Sequence, residues 1–143
     1  MENVVEKIEG KFSDKILKSY EKSAVRIYLD FKPEDIPEVA QFVFKDLGCR
    51  FIIASGTDTP AGIEILYHFS YDQQGKVISL RTLITDKKNP QMASIAKIIK
   101  GAEWIEREIW ELLGVNFIGH PDLRHLLLID DWPAGKYPLR KDQ

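Results

Sequence analysis

The sequence predicts an α+β fold: a two-layer domain with an antiparallel, ferredoxin-like sheet and helices, followed by an extended C-terminal tail. Three observations carry this. Between Arg50 and Thr85 a short apolar strand, a cleanly alternating one over Ile63 to Tyr71 and a third over Val77 to Thr85 are joined by short turn-rich segments, so neighbouring strands pair antiparallel. On either side the apolar period lengthens to that of a helix. After Phe117 periodicity ends, which divides the chain into a body, 1–117, and a docking tail, 118–143.

The elements come in this order. Val4, Val5, Ile8, Phe12, Ile16, Leu17 and Tyr20 recur at helical spacing through residues 2–22, interrupted near Gly10, with Ser13 placed to cap a second set of turns. Ala24 to Phe31 alternates as a half-buried strand, Val25, Ile27 and Leu29 opposing Arg26, Tyr28 and Asp30. Pro33 breaks it. A helix then carries Ile36, Val39, Ala40, Val43, Phe44 and Leu47 on its core side and ends at Gly48. Arg50 to Ser55 reads as a short strand and Gly56 to Gly62 as a loop. Ile63 to Tyr71 and Val77 to Thr85 form a hairpin around Gly75. Asn89 and Pro90 suit the start of a short helix over Met92 to Ile99. Gly101 separates it from a second helix ending at Gly114.

Composition excludes several classes. With 143 residues the chain supports one domain with a real core. Twenty Lys plus Arg against 22 Asp plus Glu give a net charge of −2, without the basic face that nucleic acid requires. No apolar run is long enough to span a membrane, and the acidic start lacks the pattern of a signal peptide. The single cysteine, Cys49, forms neither an internal disulfide nor an iron–sulfur ligand set, and reads as a small buried hydrophobe in a reducing compartment.

The densest stretch is the last helix and the irregular segment after it. At about 100° per residue, Ala102, Ile105, Ile109, Leu112 and Leu113 form the core stripe, while Glu103, Arg107 and Glu111 run down the opposite side. One reading is an exposed face laced by ion pairs. The other is a buried network around the Arg107 fork, covered by the chain's own tail or by a partner. Trp104 and Trp110 flank this side and, with Trp132, read as buried anchors of an interface. The tail carries Leu123, Leu126, Leu127, Leu128, Ile129 and Trp132, too apolar to lie free in water.

Two chemistries stand as alternatives. His120, Asp122 and His125 are ligand types within six residues, which allows a metal-dependent enzyme or binding module, although Pro121 distorts the spacing. Glu103, Glu106 and Glu108 are carboxylates available for acid–base work. No nucleophile elbow and no phosphate loop is present.

The run Glu106-Arg107-Glu108-Ile109-Trp110-Glu111-Leu112-Leu113-Gly114, then Gly119-His120-Pro121-Asp122-Leu123-Arg124, Asp131-Trp132 and Pro138-Leu139-Arg140-Lys141-Asp142, resembles the thirty-kilodalton (30 kDa) subunit of respiratory complex I, the bacterial NADH–quinone oxidoreductase. It resembles equally the counterparts of that subunit in membrane-bound, energy-converting nickel–iron hydrogenases. Glu111 stands where respiratory members usually carry Asp, Leu113 where an aromatic is common, and His125 in place of a second Arg, which leans toward the hydrogenase-type or archaeal branch.

The resemblance implies a non-catalytic subunit of the hydrophilic arm that binds no cofactor. Its partners would be the large hydrogenase-like, 49 kDa-like subunit and neighbouring iron–sulfur subunits, on the cytoplasmic side of the membrane. Glu106, Arg107, Glu108, Gly114, His120, Pro121, Asp122, Leu123, Arg124, Pro138, Leu139, Arg140, Lys141 and Asp142 would then hold helix and tail in a docking geometry.

Overall fold

The computed structural model describes residues 3–124 and 133–141. Its first helix, α1 (Val4–Lys11), is capped by Asn3, whose side chain accepts from the Val5 N–H. Where helical spacing continues past Ser13, the chain instead makes a strand, β1 (Lys18–Glu21), antiparallel to β2 (Arg26–Asp30). All four β1 residues are exposed, so the apolar spacing there had no core to satisfy.

A short 3₁₀ turn at Pro33–Asp35 leads into α2 (Ile36–Gln41), which runs on through a π turn, Phe42–Asp46. Three long strands follow: β3 (Arg50–Thr59), β4 (Gly62–Tyr71) and β5 (Lys76–Ile84). β3 continues straight through the segment that composition marked as a loop, and the connection to β4 shrinks to Pro60 and Ala61. Gly56 sits in that strand for a reason of space, because a Cβ there would lie 2.7 Å from Leu113 Cδ1.

The sheet order is β1-β2-β5-β4-β3. The β3–β4–β5 meander is antiparallel as expected. The sheet as a whole is mixed, however, because β2 lies parallel to β5 in the register Arg26↔Val77 to Asp30↔Arg81. That departs from an all-antiparallel sheet of ferredoxin-like order. The Arg81 guanidinium donates to Asp30 across this junction at 2.7 Å, and the pairing brings the ends of β2 and β5 into one register.

Ile27, Leu29, Ile63, Ile65, Tyr67, Phe69, Ile78 and Leu80 are buried from one sheet face, in one core with Val4, Ile8, Val39 and Val43 of the helices. The alternate positions Tyr28, Glu64, Leu66, His68 and Arg81 stay half-exposed on the other face.

The expected helix over Met92–Ile99 is the second departure. Met92, Ile95, Ala96 and Ile99 are all buried, which explains the helical spacing, yet the chain makes a short strand, β6 (Gln91–Ala93), and a single turn. β6 pairs in parallel with β7 (Asn116–Ile118). Between them a 3₁₀ turn, Lys100–Ala102, enters α3 (Glu103–Leu113).

Candidate functional site

α3 buries Ile109 and Leu113 against the sheet and ends at Gly114, whose φ of 80° is the left-handed conformation that glycine adopts without strain. The charged residues of this helix settle the choice between an exposed and a buried face. Glu106 is fully buried, Arg107 is 5% exposed and Glu111 is 1% exposed. The side opposite the apolar stripe is therefore interior at Arg107 and Glu111, while Glu103 at its start is half-buried.

Glu106 and Arg107 meet groups that are distant in sequence. The Tyr67 hydroxyl donates to Glu106 Oε2 at 2.7 Å and the Ile95 N–H donates to the same oxygen at 3.1 Å. Ser94 Oγ donates to Oε1 at 2.5 Å. What occupies residues 91–94 in place of a helix is pairing with β7, extended by the Ser94 N–H donating to the Ile118 carbonyl at 2.9 Å. Burial raises the Glu106 carboxyl above its ordinary value, with the three donors working against that rise. Burial, then the adjacent carboxylate, pushes the Tyr67 hydroxyl well up. Arg107 Nε donates to the Arg124 carbonyl at 3.0 Å, fastening the helix to the segment after β7.

In that segment, His120 uses both ring nitrogens. Nε2 donates to the Glu103 carbonyl at 2.8 Å, and Nδ1 accepts the Asp122 N–H at 2.9 Å. A metal would have to break one of these bonds, which opposes the metal-site alternative; His125 lies outside the described residues. The Asp122 carboxylate accepts from Arg124 Nε at 2.9 Å, Pro121 is exposed and Leu123 half-buried. None of these side chains is aimed at a shared reacting position. Glu103 and Glu108 are half-buried, Glu108 beside an apolar groove whose lining holds no second titratable group, and the Glu106 carboxylate is closed in by its donors, so no two of these carboxylates share an open site.

The tail closes the C-terminal end of α3. A helix leaves its last carbonyls without intrahelical donors. Here the Leu139 N–H donates to Leu112 O at 2.9 Å and Arg140 Nη1 to Leu113 O at 3.2 Å. The Arg140 cation also sits at the negative end of the helix dipole. Its Nη2 reaches the Lys87 carbonyl at 2.7 Å. The Tyr137 ring lies over Gly114 so closely that a Cβ there would be 2.6 Å from it.

The anchor beneath the tail is Asp58, whose side chain is 1% exposed. Oδ2 accepts the Lys141 N–H at 2.6 Å and lies 3.8 Å from Arg140 Nε, while Oδ1 lies 2.5 Å from Lys87 Nζ. Pro138 is exposed and sits at the second position of a turn closed by the Arg140 N–H donating to the Tyr137 carbonyl at 3.1 Å.

The structure thus brings together Glu106, Arg107, Gly114, His120, Asp122, Arg124, Leu139, Arg140 and Lys141. It does not enclose Trp104, which is 67% exposed because it lies off the core stripe; Trp110 is half-buried. Trp132 and Asp142 lie outside the described residues. Sequence reasoning missed Tyr67, Ser94, Asp58 and Lys87. The one signal available was Asp58 itself, an acidic residue in a segment that alternates Gly56, Asp58 toward the core once it is read as strand.

The family model of the respiratory-chain NADH dehydrogenase 30 kDa subunit matches residues 29–143. The C subunit of NADH-quinone oxidoreductase from a Chelativorans species is 34% identical over 145 residues, covering 97% of this chain and 68% of the relative. The NADH-quinone oxidoreductase C/D protein of Bacteroides thetaiotaomicron is 39% identical over 98 residues, which are 66% of this chain but 18% of that longer protein. Among solved structures, a chain of the membrane-bound sulfane sulfur reductase, an archaeal respiratory membrane complex, superposes with a TM-score of 0.81 at 24% identity, covering 97% of this chain and 82% of the other. At that identity the likeness is one of fold.

Proposed function

The chain belongs to the family of the 30 kDa subunit of respiratory-chain NADH dehydrogenase, and on that premise we propose that it is a structural subunit of a membrane-bound respiratory oxidoreductase complex. In this reading the body, 1–117, carries a docking tail, 118–143. The joint between α3 and the tail presents one face to the large hydrogenase-like subunit. The chain's own residues bind, position and exclude water, and the redox centres belong to its neighbours. Its place is the cytoplasmic side of the membrane, held there by partners; no described helix is long and apolar enough to cross a bilayer.

The observation that supports this best is the construction of the α3–tail joint. Three charged side chains of α3 are buried, and its last carbonyls are closed by Leu139 and Arg140. Burying charges costs free energy unless geometry and hydrogen bonds are well matched. A chain built with such a joint gains a fixed shape rather than stability, and a fixed shape is what a docking subunit needs. The exposed Trp104 and Leu139 lie on the surface that joint holds in place.

The test is affinity purification of the chain from its native membranes with mass spectrometry of the proteins that accompany it. Stoichiometric recovery of a large hydrogenase-like subunit and iron–sulfur proteins is expected, and the accompanying set distinguishes a respiratory dehydrogenase from a hydrogenase. Recovery of the chain alone under gentle extraction would overturn the proposal. Arg107→Ala should lower the yield of assembled complex while the sheet stays folded.

A further inference from the structure

β3 stands at the margin of the five-stranded sheet, paired with β4 on one side and with no described strand on the other. It is ten residues long, and from Phe51 to Thr57 it carries neither charge nor proline. Ile52 and Ile53 are 43% and 48% exposed. The one irregularity in its register lies between Phe51 and Ile53, so the remainder is regular. Natural sheets blunt long apolar edges with lysine, proline or a covering element, because free edge N–H and C=O groups pair with any extended chain. This edge has none of the first two.

Alongside it runs α3. Between edge and helix lies an apolar groove of about 250 Å³, lined by Ile53, Gly56, Ile105, Leu112 and Leu139, with Glu108 as its charged member. Trp104 stands one turn before Glu108 and is exposed.

We propose that this edge and groove receive an extended segment of a partner subunit, which adds as a strand to β3. The segment places an apolar side chain in the groove and a Lys or Arg opposite Glu108. The proposal rests on the docking role given above and specifies the chemistry of the partner where it meets β3. Backbone pairing dictates the shape of the occupant, and pockets for alternate side chains dictate its sequence, as in other strand-addition complexes.

Charge selects between occupants. A basic residue meets an opposite charge at Glu108. A second copy pairing β3 with β3 about a two-fold axis would bring two Glu108 carboxylates to the same junction, and the stretch Phe51–Thr57 offers no cation to offset them. The groove is also continuous with the tail joint. Leu139 forms one wall of the groove, and its N–H closes on Leu112 of α3. A partner held by the tail therefore has β3 beside it.

Amide hydrogen exchange measured on the isolated chain and on the purified complex tests this. In the isolated monomer, alternate amides between Phe51 and Thr57 should exchange fast. In the complex they should slow by at least about tenfold, the factor that about 1.4 kcal/mol of local stabilisation produces. Glu108→Lys should abolish that slowing in the complex while Leu139 and Lys141 remain protected. If the tail amides slow in the complex and β3 does not, strand addition is wrong and docking stands. If neither slows, docking itself fails. Slow β3 amides in the isolated chain overturn the proposal, assigning the edge to another segment of this chain if it is a monomer and to a second copy if it is a dimer.

Discussion

Replacing Asp58 by alanine should release the tail without unfolding the body. The Lys141 N–H loses a charged acceptor at 2.6 Å, a bond of about 1.5–3 kcal/mol. Arg140, with a side chain 5% exposed, loses a carboxylate 3.8 Å away. It keeps the Leu113 and Lys87 carbonyls, so its charge is not stranded. Lys87 is 23% exposed and can turn its ammonium to water, which limits its share to that of a surface pair, about 0–1 kcal/mol. Removing the buried carboxylate also relieves its own desolvation cost. The balance is a loss of about 2–4 kcal/mol at the tail, using the bond and buried-pair magnitudes together.

Expressed as local opening, that is an acceleration of roughly 30- to 700-fold in the exchange of the Leu139 and Lys141 amides. Asp58→Asn keeps one oxygen to accept from Lys141 and should fall between alanine and wild type. The urea midpoint of the body should move little in either variant, because no described tail residue belongs to the core cluster. Exchange of Leu139 and Lys141 in Asp58→Ala within about threefold of wild type, on the same tenfold-per-1.4 kcal/mol scale, would refute the idea that Asp58 anchors the tail.

The same geometry sets other outcomes. Burial holds the Glu106 carboxyl above its ordinary value, so in the window between that value and the raised one the native chain retains a proton that the unfolded chain has released. Stability from this group is complete below the ordinary value and falls as pH rises through the window; urea midpoints taken from about pH 4 to about pH 7 should show that decline in wild type and its loss in Glu106→Gln. Tyr67→Phe removes one of the three donors to Glu106 and should cost about 1.5–3 kcal/mol by chemical denaturation. Gly114→Ala forces a left-handed residue, about 1–2 kcal/mol, and displaces the Tyr137 ring; a Gly114→Ala, Tyr137→Ala double variant whose thermal midpoint shows no coupling would contradict the contact. Cys49 is buried, which pushes its thiol up to about 11; a thiol reagent at pH near its ordinary range should label it only after denaturant is added.

The candidate site was legible in part. The residues around Arg107, the His120-Pro121-Asp122 turn and the Pro138-to-Lys141 segment stood out because they combine charge, proline and aromatic types in places where regular structure ends. The groups they bind to were not legible. Tyr67 lies 39 residues from Glu106, and Asp58 lies 83 residues from Lys141. No local pattern ties such pairs together, because their contact exists only once the sheet and α3 have packed.

The sequence by itself determined the class of fold, the antiparallel β3–β4–β5 meander, the end of α3 at Gly114 and the family signature, since each depends on periodicity or on a conformation few residues adopt. Tertiary structure decided the rest. It set β2 parallel to β5, turned the apolar spacing at 18–21 and 91–93 into strands, and drew β3 out through Gly56. It also placed Glu106, Arg107 and Glu111 inside. Helical and extended segments both place apolar residues at short regular intervals, and a charged stripe reads the same whether water or a carbonyl faces it. Only the packed neighbours, Tyr67 and Ser94 for Glu106 and the Arg124 carbonyl for Arg107 among them, supply the partners that make such charges tolerable in the interior.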